Sequence, residues 1–132
     1  MKTFSKWNLK PIDDYGSVMS DDAKSFYRAF KNYIKRSFPE AEIVGFKPNH
    51  YDTSGFIRVA NRCVYVSHNI NRATCRVDFN ASSPMDGVLF RVARNTKDYR
   101  GGQNHFTSIY RMKEDIDRLF YNGPEWAAIG VM

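Results

Sequence analysis

Three groups of residues in this chain have types and spacings that could do chemistry. The first is a set of metal donors. Cys63 and Cys75 are separated by eleven residues, with the turn-like stretch Ser67-His68-Asn69-Ile70-Asn71 midway. If the flanking strands pair about Asn69, the two thiols fall opposite one another on one sheet face. Two thiolates joined by His50, His68 or His105 would then make a tetrahedral zinc site. The spacing matches no C-x-x-C pattern, and buried, unreactive thiols are the commoner explanation. The same histidines with Asp52 could in principle exchange protons. However, the chain holds no G-x-S-x-G nucleophile motif and neither of the standard glycine-rich phosphate loops. Asn104-His105 is too little for a His-Asn nuclease centre. The expectation is a protein that is not an enzyme and has no cofactor, zinc being the one candidate.

The second group is a cationic stripe. Lys24, Arg28, Lys31 and Lys35 are spaced by four, three and four residues, with Arg36 beside them. On a helix those steps align in one row about 16 Å long, able to follow a phosphate backbone or an acidic protein groove. A solvated helix face would look the same. The third group is Arg91, Arg94, Lys97 and Arg100, continuing to His105 and Arg111, with Tyr99, Phe106 and Tyr110 interleaved. Flat aromatic area edged with donors suits stacked bases or a protein hot spot. Phe106 and Tyr110 can instead be core residues with the cations as their rim, and for Phe106 the core placement is the expectation.

These residues need elements to position them. Ser20 offers an N-cap, and Asp21 and Asp22 suit the positive end of a helix dipole. Ala23, Phe26, Phe30, Tyr33, Ile34 and Phe38 then recur at helical steps until Pro39. Beyond it the pattern changes to short runs bounded by Asn, Gly, Pro or Ser. These are Ile43–Phe46, Gly55–Val59, Cys63–Ser67, Thr74–Phe79 and Val88–Ala93. Spacings of about ten residues leave no room for helical crossovers, so the sheet should be an antiparallel meander. Lys97–Asn104 reads as a polar loop around Gly101-Gly102. Met112–Phe120 reads as a second helix with Ile116, Leu119 and Phe120 on one side, ended by Gly123-Pro124, after which Trp126 packs back. The fold class is therefore α+β: an N-terminal amphipathic helix, a four- or five-stranded antiparallel sheet and a C-terminal helix.

The chain has 132 residues, 42% of them hydrophobic, with 10 Phe, 8 Tyr and 2 Trp, enough for a packed core. We read residues 1–132 as a single domain, with 1–17 an irregular N-terminal arm. No apolar run can span a bilayer, and the first ten residues, with three lysines, lack the apolar stretch of a secretory signal. Two cysteines are too few for a disulfide framework, so a cytoplasmic protein is expected. The net charge of +6 makes an anionic partner plausible, nucleic acid or an acidic protein surface, and no membrane.

The run from Gly55 to Thr107 resembles a group of small proteins carried by bacteriophages and mobile elements. In these, a hairpin with a VYVS-like second strand precedes R-x-A-[KR]-x-x-K-D-[YF]-x-G-G-x-N-x-[FY]. The matching residues are Arg91, Ala93, Arg94, Lys97, Asp98, Tyr99, Gly101, Gly102, Asn104 and Phe106. The hairpin turn departs from the pattern, with Asn61-Arg62-Cys63 where a glycine is expected. Some small proteins of this type are anti-CRISPR inhibitors of type II effectors. The resemblance implies a non-catalytic inhibitor in the host bacterial cytoplasm that binds a guide-loaded nuclease and blocks DNA loading or cleavage. Many such inhibitors mimic DNA with acid, and a basic chain does not. It would dock on an acidic patch of the nuclease, or on guide RNA or target DNA. The contacts expected are Lys24, Arg28, Lys31, Lys35, Arg36, Arg91, Arg94, Lys97, Tyr99 and Arg100. The alternatives are a small basic nucleic-acid-binding accessory protein and a zinc protein built on Cys63 and Cys75 with His50 and His105.

Overall fold

The computed structural model describes residues 21–48, 53–68, 87–121 and 123–131. Helix α1, Asp21–Ser37, precedes strands β1 (Glu42–Pro48), β2 (Thr53–Val59), β3 (Arg62–His68), β4 (Val88–Ala93) and β5 (His105–Thr107). Helices α2 (Met112–Phe120) and α3 (Gly123–Ala128) follow. The five strands form one antiparallel sheet in chain order, so the fold is an α+β meander flanked by helices.

Register decides which residues share a face. Ile57 lies beside Val64, Val64 beside Val92, Val66 beside Phe90, and Phe90 beside His105. These residues line the face covered by helices, where Tyr27, Phe30, Tyr33, Ile34 and Phe38 of the α1 segment meet them. Met112, Ile116 and Leu119 of α2 close the other half of the core. Trp126 of α3 is fully buried there and donates its Nε1–H to the Leu119 carbonyl at 2.9 Å. Arg62 reaches from β3 to the same corner, donating to the Phe120 carbonyl at 2.5 Å with its guanidinium 5.3 Å from the Trp126 ring.

An edge-strand bulge completes this face. The register slips between Gly45 and Lys47, and Phe46, at φ 68°, is the inserted residue. The extra residue turns the Phe46 ring into the helix-side core, 6.2 Å from Phe30. There it lies over Gly55, where any Cβ would overlap the ring. Gly55 is thus a floor for Phe46.

Several sequence expectations change. Both edges of β3 are occupied, and Cys63 pairs with Arg58 on one side and Ala93 on the other. Strand β3 therefore has no open edge for the expected hairpin about Asn69, and Cys75 lies outside the described residues. The expected strand Thr74–Phe79, the arm 1–17 and the Ser20 cap lie outside the described residues. Strand β5 has no signature in the sequence: three polar-flanked residues carry no period. It is held by pairing to β4, by Thr107 Oγ1 donating to Asp115 at 2.6 Å, and by His105 meeting Glu125 at 2.9 Å. Gly123-Pro124 opens α3, a place that suits proline because a first-turn N–H has no helical partner. Phe106 and Tyr110 are 43% and 60% exposed rather than core. Phe106 projects from β5 to the face away from the helices, opposite to the turn its neighbours take.

Candidate interaction surface

The face of the sheet away from the helices carries a second, smaller cluster of Phe56, Cys63, Tyr65, Leu89 and Ala93. The loop following β4 folds back over it. Tyr99 sets its ring 5.2 Å from Phe56 and 5.7 Å from Tyr65, edge to face with both, while Phe56 and Tyr65 lie 5.4 Å apart. Such geometry brings the positive ring edge to the negative ring face. Arg91, on β4, stacks its guanidinium 4.3 Å from the Tyr65 ring and donates to the Tyr99 carbonyl and, at 3.1 Å, to Asn104 Oδ1. Arg91 is a clamp for this loop, not a projecting cation.

Asp98 organises the loop from within. Its buried carboxylate accepts from the backbone N–H groups of Arg94 (3.0 Å), Arg100 (3.1 Å) and Gly101 (2.8 Å), and from Arg94 Nε at 3.2 Å. Burial alone would raise its pKa. The backbone donors of Arg94, Gly101 and Arg100 and the Arg94 guanidinium outweigh burial and hold it down at about 2. Asn95 Oδ1 accepts from the Lys97 N–H at 2.8 Å, so two side-chain-capped turns follow one another. The glycine pair fits the same device. A Cβ at Gly101 would overlap the Asp98 carboxylate, and Gly102, at φ 84°, lies against the Val92 carbonyl.

The residues of the R-x-A-R-x-x-K-D-Y-x-G-G-x-N-x-F segment thus divide. Arg91, Ala93, Asp98, Gly101, Gly102 and Asn104 build the loop and seat it on the sheet. Arg94, Lys97, Tyr99 and Phe106 are exposed; the first three, with Asn95, Asp98 and Arg100 (at a variable position of the segment), line a recess of about 460 Å³. Asp98 is the component that no sequence motif marks for a role. A carboxylate two and three residues before exposed N–H groups, followed by Gly-Gly, is the signal that could have found it.

The other candidates are placed elsewhere. Arg28, Lys35 and Arg36 are exposed on α1, Lys31 is half-buried, and the Lys24 side chain lies outside the described residues. Because α1 covers the helix-side core, its stripe and the 94–100 loop are on opposite sides of the sheet and do not make one patch. His105 and Arg111 also leave the loop cluster. The His105 ring stacks on Phe90 at 5.2 Å on the helix side, and Arg111 lies 4.0 Å from Asp115.

For the metal set, His50 and Cys75 lie outside the described residues. Cys63 and His105 project from opposite faces of the sheet, so one ion cannot take both. Burial pushes the Cys63 thiol up to about 11, partly offset by Arg58 and reinforced by Glu42 and Asp98, so it is protonated at neutral pH. Among the described residues no three His, Cys, Asp or Glu side chains come together as a metal site, and no helix is long and apolar enough to cross a membrane. In comparisons with known proteins, no family model, curated protein or solved structure matches the chain.

Proposed function

We propose that this protein acts by binding, without catalysing a reaction, as an inhibitor of a bacterial RNA-guided defence nuclease. It docks on the guide-loaded effector and blocks DNA loading or cleavage. The observation that carries the reading is the 94–100 loop. Its segment is the one that resembles the phage and mobile-element proteins, and its exposed side chains are three cations, an aromatic ring and Asn95. Asp98 and Arg91 hold those side chains on a prearranged backbone, so little ordering entropy is lost on docking. A basic surface complements phosphates or an acidic patch of the effector, and is unsuited to filling a positive DNA channel.

The test is cleavage of target DNA by a guide-loaded type II nuclease while the protein is titrated in at physiological salt. The expected result is inhibition that saturates near one equivalent, with Lys97→Glu and Arg100→Glu shifting the titration to higher protein. Inhibition complete far below one equivalent would mean catalysis and overturn the binding mechanism. No inhibition at any ratio would overturn the target.

A further inference from the structure

We infer that the recess beside Tyr99 seats an unpaired nucleotide, its base stacked on the Tyr99 ring and its phosphates among Arg94, Lys97 and Arg100. The inference rests on the reading that the 94–100 loop is the contacting surface, and narrows what it touches to a single-stranded stretch of nucleic acid. Four observations lead there. Tyr99 is 58% exposed, yet edge-to-face contacts with Phe56 and Tyr65 set its position, so aromatic surface is displayed without freedom to collapse. Cations stand at three-residue steps on either side of it, Arg94 and Lys97 before and Arg100 after, with Asp98 the one carboxylate among them. That carboxylate is already engaged by Arg94, Arg100 and Gly101, so it does not turn outward against an anion.

The fourth observation is size and setting. A recess of about 460 Å³ is within the range of small-ligand sites, and Phe106 offers a second exposed ring on the same face of the sheet. Stacking platforms flanked by phosphate-binding cations are the general solution for single strands, because every base has a face to stack. A base within a duplex is covered by its neighbours and cannot reach the ring. An acidic peptide would use the cations but has no need of a fixed, exposed aromatic face between them.

The experiment is fluorescence anisotropy on the full chain, with labelled oligouridine of about eight nucleotides, inside the usual single-strand site size. The comparison probes are an abasic strand of equal length, a duplex of equal length and an oligoglutamate peptide. The expected order is oligouridine first, with Tyr99→Leu weakening it about 5- to 100-fold and leaving the abasic strand unchanged. Lys97→Gln and Arg100→Gln, both at exposed positions where folding is not at stake, should weaken both strands and flatten the salt dependence. Equal binding of abasic strand and oligouridine would overturn the stacking site, as would preferential capture of oligoglutamate. Tyr99→Leu that melts like the parent and binds oligouridine equally well would do the same. If oligouridine does not bind while the nuclease is still inhibited, this inference fails and the proposed function stands. If neither occurs, both fail.

Discussion

The Gly101 backbone N–H donates to the Asp98 carboxylate at 2.8 Å, and the Gly101 Cα faces that carboxylate so closely that no Cβ fits between them. One short contact thus fixes both residue types. A carboxylate is needed to collect the loop's N–H groups, and a glycine is needed to let it approach. Gly102 extends the requirement to the sheet, since its positive φ and its proximity to the Val92 carbonyl bring the loop down onto β4.

Gly101→Ala should therefore destabilise the fold by about 2 kcal/mol, through steric displacement of a buried hydrogen-bonded carboxylate. Gly102→Ala should cost a similar amount from its φ and the carbonyl contact together. Thermal unfolding of the two variants against the parent checks this. Melting temperatures unchanged in both would remove the glycine pair from the account of the loop.

Acid should loosen this loop through Asp98. Its folded pKa of about 2 lies below its ordinary 3.8, so its ionised form is favoured by folding. That contribution is complete above the ordinary value and is lost as pH falls from there towards the folded value. Asp98→Asn should be less stable than the parent at neutral pH, and the gap should narrow as pH falls from 3.8 towards 2. Denaturant midpoints measured across that interval decide it; a gap independent of pH would contradict the assignment.

Ala60 is one of two described non-glycine residues with positive φ, at 56°, in the two-residue turn between β2 and β3. The first central position of such a turn favours glycine because a Cβ crowds the backbone there. Ala60→Gly should raise stability by up to about 1 kcal/mol, since relief of that crowding exceeds the added freedom of the unfolded chain. A lower urea midpoint for the variant would reverse the expectation.

Cys63 should resist modification. With the thiol shifted by burial to about 11, a Cys75→Ser protein at pH 8 should react with a thiol reagent far more slowly than the same chain in denaturant. Fast reaction of the folded protein would mean that the cover over the second cluster opens readily.

Trp126→Phe should cost about 1–2 kcal/mol, the loss of indole volume plus the Nε1–H bond that satisfies the Leu119 carbonyl. Loss of the α3 dock should also free Glu125 from His105, which a shift in the His105 ring resonances would report.

Periodicity made much of the fold legible in advance. Helix α1 shows apolar residues at three- and four-residue steps and stops before Pro39, and the pattern of α2 has the same ends as the helix. The pattern also marks both ends of strand β4, because its run of Val, Leu and Phe is bounded by Gly87 and Arg94. Strand β5 was invisible because its three residues owe their conformation to β4, Asp115 and Glu125, all distant in the chain. The types of the exposed loop residues were legible too. That Arg91 points back at Tyr65, while Arg94 and Arg100 stay outside, was not, because an arginine's type does not say whether an aromatic ring awaits it.

The linear pattern by itself determined the fold class, since helical and strand periods are local consequences of backbone geometry and burial. It also determined which segment is basic and which loop must turn sharply. Tertiary structure alone decided the faces. Register placed Cys63 and His105 on opposite sides of the sheet, and α1 and the 94–100 loop likewise, because a strand alternates its side chains and a single step of pairing exchanges the two sides. It also set Tyr99 against Phe56 and Tyr65, an aromatic contact spanning more than thirty residues of chain that only the folded sheet could bring together.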